Sequence, residues 1–150
     1  ALRRAGAPAD AQAAARGEAW LLRTQLADGS WGDTPISQGN LSTTLLALAC
    51  LRHSSSLMAE VGVCRAEAWL GARTGSLAPE RIAAAVLEHY GEDHTFSVPI
   101  LSLCAVAGLL GEAPQCWRCI PQLPFELAVL PRFVFSAVGA IRQFVLLAGD

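Results

Sequence analysis

Apolar residues recur along most of this chain at the three- and four-residue spacing of a helix face, and glycine or proline punctuates the runs. The pattern predicts helices over 9–27, 41–53, 56–73, 79–90, 97–110 and 132–148. In 79–90 the face is Ile82, Ala85, Val86 and His89 or Tyr90, and Pro79 occupies the first turn, where its missing N–H costs little. Segments 41–52 and 97–110 are apolar nearly all round, the mark of helices buried on every side, whereas 9–27 and 56–73 carry charges on one face. An order of outer, inner, outer and again inner predicts an all-α chain of helical hairpins.

The chain also repeats itself. Arg16, Glu18, Ala19, Trp20 and Leu21 are echoed 49 positions later (65 − 16) by Arg65, Glu67, Ala68, Trp69 and Leu70, with Gly17 matched by Ala66. The inner segments rhyme at an offset of 55 (97 − 42), with Ser42, Leu46 and Leu48 against Ser97, Leu101 and Leu103. A period of about 50 residues per helix pair belongs to stacked helical repeats. A third copy is due near residue 114, where "PQCWRCIPQLP" breaks the regularity instead.

Composition narrows the partners. The 150 residues make one domain or part of one, with 53% hydrophobic and only 16% charged residues and a mean hydropathy of +0.38. Much apolar surface must therefore be hidden. A formal charge of −2 with 11 Lys and Arg argues against nucleic acid as a partner. The longest uncharged run, Thr95–Gly111, falls short of the ~20 residues of a membrane span. The chain opens without Met or a signal peptide and ends inside an apolar pattern, which predicts a fragment of a longer protein.

Five cysteines (Cys50, Cys64, Cys104, Cys116 and Cys119) make no even disulfide framework and fit a reducing compartment. "CWRC" at Cys116–Cys119 has no strand before it, as a redox motif would. It also lacks the second ligand pair of a structural zinc site, and His53, His89 and His94 have no supporting spacing. No metal is predicted.

The longer motif is "RGEAWLLRTQLADGSWGD", in which Arg16, Gly17, Trp20, Leu21, Gln25, Gly29 and Trp31 fall at fixed intervals. Trp20 and Gln25 lie near a helix end, and Asp28–Gly29 turns the chain so that Trp31 folds back. A glutamine amide stacked on that indole can bond the open N–H groups of the next helix. The expected product is a structural clamp between hairpins.

That arrangement resembles the QW motif of the squalene–hopene and oxidosqualene cyclases, class II terpene cyclases. "GNLSTTLLALACL" (Gly39–Leu51) is similar to the inner helix that follows a QW motif there, with Asn40 where many members have Asp. "WRCIPQLPFELAVLPRFVF" (Trp117–Phe135) resembles the family's proline-rich stretch. The likeness runs from about Arg16 to Arg142. The second copy keeps Arg65, Ala66, Trp69 and Leu70 but lacks the glutamine and final tryptophan.

The resemblance implies that residues 1–150 are part of an α/α toroid, the early part of an N-terminal-half barrel. It implies an isomerase, as in hopanoid and other triterpenoid biosynthesis, that cyclises a polyprenoid such as squalene without metal or organic cofactor. An Asp-x-Asp-Asp aspartic acid protonates the terminal alkene in that family, and aromatic faces hold the carbocations. No such motif exists among Asp10, Asp28, Asp33, Asp93 and Asp150, so this chain alone is expected to be inactive and to depend on the remainder of its parent. The family's monotopic membrane contact, on the cytoplasmic face, makes Trp117, Phe125, Phe133 and Phe135 candidates for a substrate channel or membrane face, against ordinary packing. Glu126 is expected to cap or to pair with Arg132. An inverting glycosidase would need carboxylates across a polar cleft, and these inner helices are too apolar. The other alternative is a non-catalytic helical-repeat module binding a lipid or protein.

Overall fold

A computed structural model describes residues 8–122. Phe125, Phe133, Phe135, the Glu126–Arg132 pair and the helix expected over 132–148 lie outside the described residues. Within them every regular element is helical: α1 Pro8–Thr24, α2 Leu41–Leu51, α3 Leu57–Thr74, α4 Pro79–Tyr90, α5 His94–Val106, and a short 3-10 helix Gln115–Cys119.

Local chemistry sets the ends. The Thr24 hydroxyl turns back to the Trp20 carbonyl (2.9 Å) and α1 stops there, three residues before the expected 27. The Asn40 side chain caps α2 by accepting the Thr43 N–H (2.8 Å). Asp93 does the same for α5 through the Thr95 N–H (2.9 Å). That second cap corrects the expected 97–110 helix: α5 starts at His94, ends at Val106, and gives way to Gly108 at φ 76°. Pro99 consequently falls inside α5, on its exposed side.

The two caps also correct the internal register. The inner helices begin 53 residues apart (94 − 41), as do their caps (93 − 40), so the offset of 55 does not hold. At 53, Thr44 pairs with Ser97 and Leu48 with Leu101, and all four are buried. The outer helices keep the offset of 49 (57 − 8). Of the four extra residues (53 − 49), three belong to the connection, where α4 is inserted in the second hairpin, and one to the longer outer helix α3.

α2 sits at the centre, packed against α1, α3 and α5, while α5 also carries α4 and the 3-10 helix. Neighbouring inner helices with outer helices behind them are what an arc of an α/α toroid requires. Leu45, Leu48, Leu51, Leu70, Val86 and Leu101 form the fully buried centre. α3 approaches through small residues, Ala59, Gly62 and Ala66, followed by Leu70, at three- and four-residue spacing. On α4 the buried residues are Ile82, Ala83 and Val86, so the face is rotated from the expected one: Ala85 is half-buried and His89 exposed. Tyr90 takes the remaining place because its hydroxyl meets the buried Ser42 hydroxyl (2.8 Å) and its ring stacks on Phe96 (5.9 Å).

Candidate functional site

The repeated motif folds into a joint between the hairpins. After Thr24 the chain makes a tight turn in which Leu26 N–H donates to the Ser30 carbonyl (2.9 Å) and Gly29 N–H to that of Leu26 (3.0 Å). Gly29 holds φ 95°, a left-handed conformation that side chains resist. The turn delivers Trp31 into the core, where it is 2% exposed. Its indole N–H donates to the Leu21 carbonyl of α1 (2.8 Å), and its backbone N–H to the Thr44 hydroxyl of α2 (3.0 Å). One residue thereby ties α1 to α2.

Gln25 ties α1 to α3, though not as expected. Its amide nitrogen donates to the carbonyls of Gly29 and Gly62 (2.8 Å each) instead of its oxygen accepting helix-terminal N–H groups. The first turn of α2 already has Asn40 as its cap, and Gly62, lacking a side chain, leaves a carbonyl of α3 open to the amide. The amide oxygen faces Arg65, whose Nη1 lies 3.3 Å away.

Arg65 is the residue that sequence reasoning placed but did not understand. Its Nη2 donates to the carbonyls of Leu26 (2.7 Å) and Ala27 (3.0 Å), closing the turn that follows α1. The first residue of the second copy thus serves the joint of the first. Trp69 also stands at this turn, where it helps to hold the Asp28 carboxyl below its ordinary range, with the Arg73 guanidinium 5.0 Å from its ring centre. Ala66 and Leu70 are buried beneath them. In the first copy Arg16 and Gly17 are exposed, Trp20 nearly half so, and Leu21 half-buried.

The second hairpin builds its own joint differently. Thr74 stands at the position of Gln25 (25 + 49), Gly75 takes φ 79°, and Arg81 of α4 donates through Nε to the Thr74 carbonyl (3.1 Å). An arginine from the following helix closes both turns, and the second needs neither glutamine nor tryptophan.

Three aspartates are engaged in holding turns and helix starts. Asp28 accepts the Ser30 hydroxyl (2.6 Å) and N–H (3.0 Å), Asp33 the Asn40 amide and Thr43 hydroxyl (2.8 Å each), and Asp93 caps α5. These bonds hold the carboxyls below the ordinary range, led by the Ser30 hydroxyl for Asp28, the Asn40 side chain for Asp33 and the Thr95 contacts for Asp93. A carboxyl depressed on folding contributes stability that is full above its unfolded value and lost as pH falls through the folded one. The melting temperature should therefore fall more steeply below about pH 4 for the native chain than for Asp28→Asn or Asp33→Asn. Parallel curves from pH 6 downward would refute the assignment.

Elsewhere the chemistry is inert. Burial, with Glu80 and Cys116 nearby, pushes the Cys119 thiol up, the opposite of an activated thiolate, and Cys104 is pushed up to about 12. Among the described residues no three metal-ligating side chains gather, and no helix is long and apolar enough to cross a membrane. Trp117 lies on the 3-10 helix, 47% exposed.

No protein-family profile matches this chain, and no solved structure does. Two curated fungal proteins do. Enfumafungin synthase efuA of Hormonema carpetanum is 32% identical over 125 residues, 83% of this chain and 8% of that protein. The terpene cyclase-glycosyl transferase fusion protein fsoA of Humicola fuscoatra is 34% identical over 115 residues, 76% of this chain and 7% of that protein. The chain spans less than a tenth of either relative, yet both alignments extend well beyond a motif the length of the joint. A chain whose described residues are all-helical and form this joint, aligned over most of its length to such proteins, is related to the terpene cyclases.

Proposed function

We propose that this chain is part of a squalene–hopene cyclase-like enzyme, an intramolecular polyene cyclase, and that its own role is scaffold. The observation that supports this most is the alignment with a named terpene cyclase protein over 76% of the chain. The joint at Gln25, Trp31 and Arg65 gives the scaffold role physical content, because its polar groups are spent on backbone.

The acid that starts the reaction belongs to another part of the parent. Protonating an alkene needs a carboxylic acid kept neutral by burial, with its pKa raised. Asp28, Asp33 and Asp93 are exposed and shifted the other way. In the proposed reaction such an acid gives its proton to the terminal double bond. Successive alkene π pairs then close rings on the migrating cation, and loss of a proton at the end leaves a product isomeric with the substrate. Monotopic attachment to the cytoplasmic face of a membrane, with Trp117 as one contact, belongs to the same proposal.

The test is to incubate the complete parent protein with squalene and with its epoxide and to analyse the products by gas chromatography and mass spectrometry. A cyclised isomer from the parent, and none from residues 1–150 alone, is expected. Absence of any isomer from both substrates would overturn the reading. Binding of squalene without conversion would point to a non-catalytic lipid-binding module.

A further inference from the structure

An outer helix normally turns charges to solvent, but α3 turns an apolar stripe. Its buried side is Ala59, Gly62, Ala66 and Leu70. Directly opposite run Leu57, Val61, Cys64, Ala68 and Gly71, at a spacing of four, three, four and three. Leu57 is 78% and Val61 56% exposed, Cys64 and Ala68 are exposed, and Met58 beside them is 66% exposed. A Cβ at Gly71 would meet nothing within 4 Å, so the stripe is open to its end. The charges of α3 stand beside the stripe and never on it. Glu60 and Glu67 follow one edge, Arg65 the other, and Arg73 lies in the last turn. An apolar seam with a seven-residue repeat and opposite charges on its two edges is the pattern of a coiled-coil strand.

We propose that this stripe pairs with the same stripe of a second copy, the two α3 helices running parallel about a two-fold axis. Such an interface must be self-complementary, and this one is. In heptad terms Val61 and Ala68 take the a positions, and Leu57, Cys64 and Gly71 the d positions. A β-branched residue at a with leucine at d favours a parallel, two-stranded pair. The flanking charges select the same orientation. In a parallel pair Glu60, at g, meets Arg65 of the other copy, at e and five positions on. In an antiparallel pair like edges meet, and Glu60 would face Glu67. Arg65 is exposed and keeps its charge while it bonds to the carbonyls of the preceding turn. The small residues at 64, 68 and 71 let the helices approach closely. One 18-residue helix is ~27 Å long, so the interface is small and the dimer depends on concentration. The proposal stands whether or not the parent cyclises a polyprenoid.

Sedimentation equilibrium of the full 150-residue chain under reducing conditions should show a monomer–dimer equilibrium. Val61→Glu puts a charge into the seam from each copy and should lower the association constant about tenfold or more. Glu60→Arg sets like charges together and should weaken it by a smaller factor. Both positions are exposed, and the buried Cys104 should stay closed to maleimide in each variant, which certifies the fold. Orientation is read with diamide, which takes up two hydrogens as two thiols join in one disulfide. The native chain should give a dimer linked Cys64 to Cys64, identified by peptide mass spectrometry. In Cys64→Ser with Ala68→Cys the link should move to position 68, and links at both positions fit a parallel pair alone. A single monomeric species at every concentration would overturn the proposal and leave the stripe to a lipid or another protein. So would a dimer linked through Cys50 alone, or one linked at 64 but never at 68, which is antiparallel. A dimer as tight in Val61→Glu as in the native chain, with Cys104 closed, would overturn it too.

Discussion

Trp31→Ala should destabilise the protein by about 3–5 kcal/mol, the cost of emptying a large aromatic site in a core that does not collapse fully. The ring is 2% exposed and sits beneath α1 and α2. Its removal also deprives the Leu21 carbonyl of the indole N–H at 2.8 Å. For a chain of this size the melting temperature should drop by roughly 10 °C. Trp31→Phe separates the two contributions: it keeps most of the apolar volume and loses the indole bond, so about 1–2 kcal/mol is expected. Thr44→Val strips the partner from the buried Trp31 N–H (3.0 Å) and should cost about 1–3 kcal/mol. In the complete parent, Trp31→Ala should lower the melting temperature and leave the product ratio unchanged. A changed ratio without a melting shift would place Trp31 in the substrate cavity and sink its reading as a joint.

The helices were legible because burial imposes a period. α4 begins and ends where its pattern predicts, and α2 and α3 differ from expectation by one or two residues. α5 was harder: its apolar run is continuous, so periodicity could not set its phase, and the deciding feature was a single cap, Asp93. In the sequence that acid is one half of an adjacent pair, Glu92 and Asp93, and its counterpart Asn40 differs from it in side chain. Only as helix caps do the two become equivalent positions 53 residues apart.

The joint was legible in composition and not in wiring. Sequence order shows that Gln25, Gly29 and Trp31 belong to one turn, but the bonds from Arg65 cross 38 and 39 residues. One signal did exist, the recurrence of arginine at positions 16 and 65. In the second copy that residue, facing solvent on its own helix, has its partners in the turn of the first. Arg81 makes the same point from the other side, since α4 supplies it outside the repeat pattern and it still closes the turn at Thr74.

Gly29→Ala should be strongly destabilising, because two independent costs fall on one carbon. The left-handed backbone at φ 95° costs a non-glycine residue about 1–3 kcal/mol. A Cβ there would also stand 2.5 Å from the Arg65 carbonyl oxygen and 2.8 Å from its carbon, both backbone. Backbone of a packed helix cannot rotate aside as a side chain does, so overpacking adds about 1–3 kcal/mol. Gly62→Ala provides the contrast: its Cβ would meet the Leu22 Cδ2 at 2.9 Å, the tip of a flexible side chain, and the cost should be smaller. Gly17→Ala reverses the sign. Gly17 is helical, exposed and has nothing within 4 Å of a new Cβ, so alanine should stabilise α1 by about 0.5–1 kcal/mol. Chemical unfolding of the three variants should rank them Gly17→Ala above the native chain, Gly62→Ala below it, and Gly29→Ala lowest. If Gly29→Ala unfolded with the native midpoint, the turn would not be held against α3 by Arg65, and the closure of one repeat by the next would fail with it.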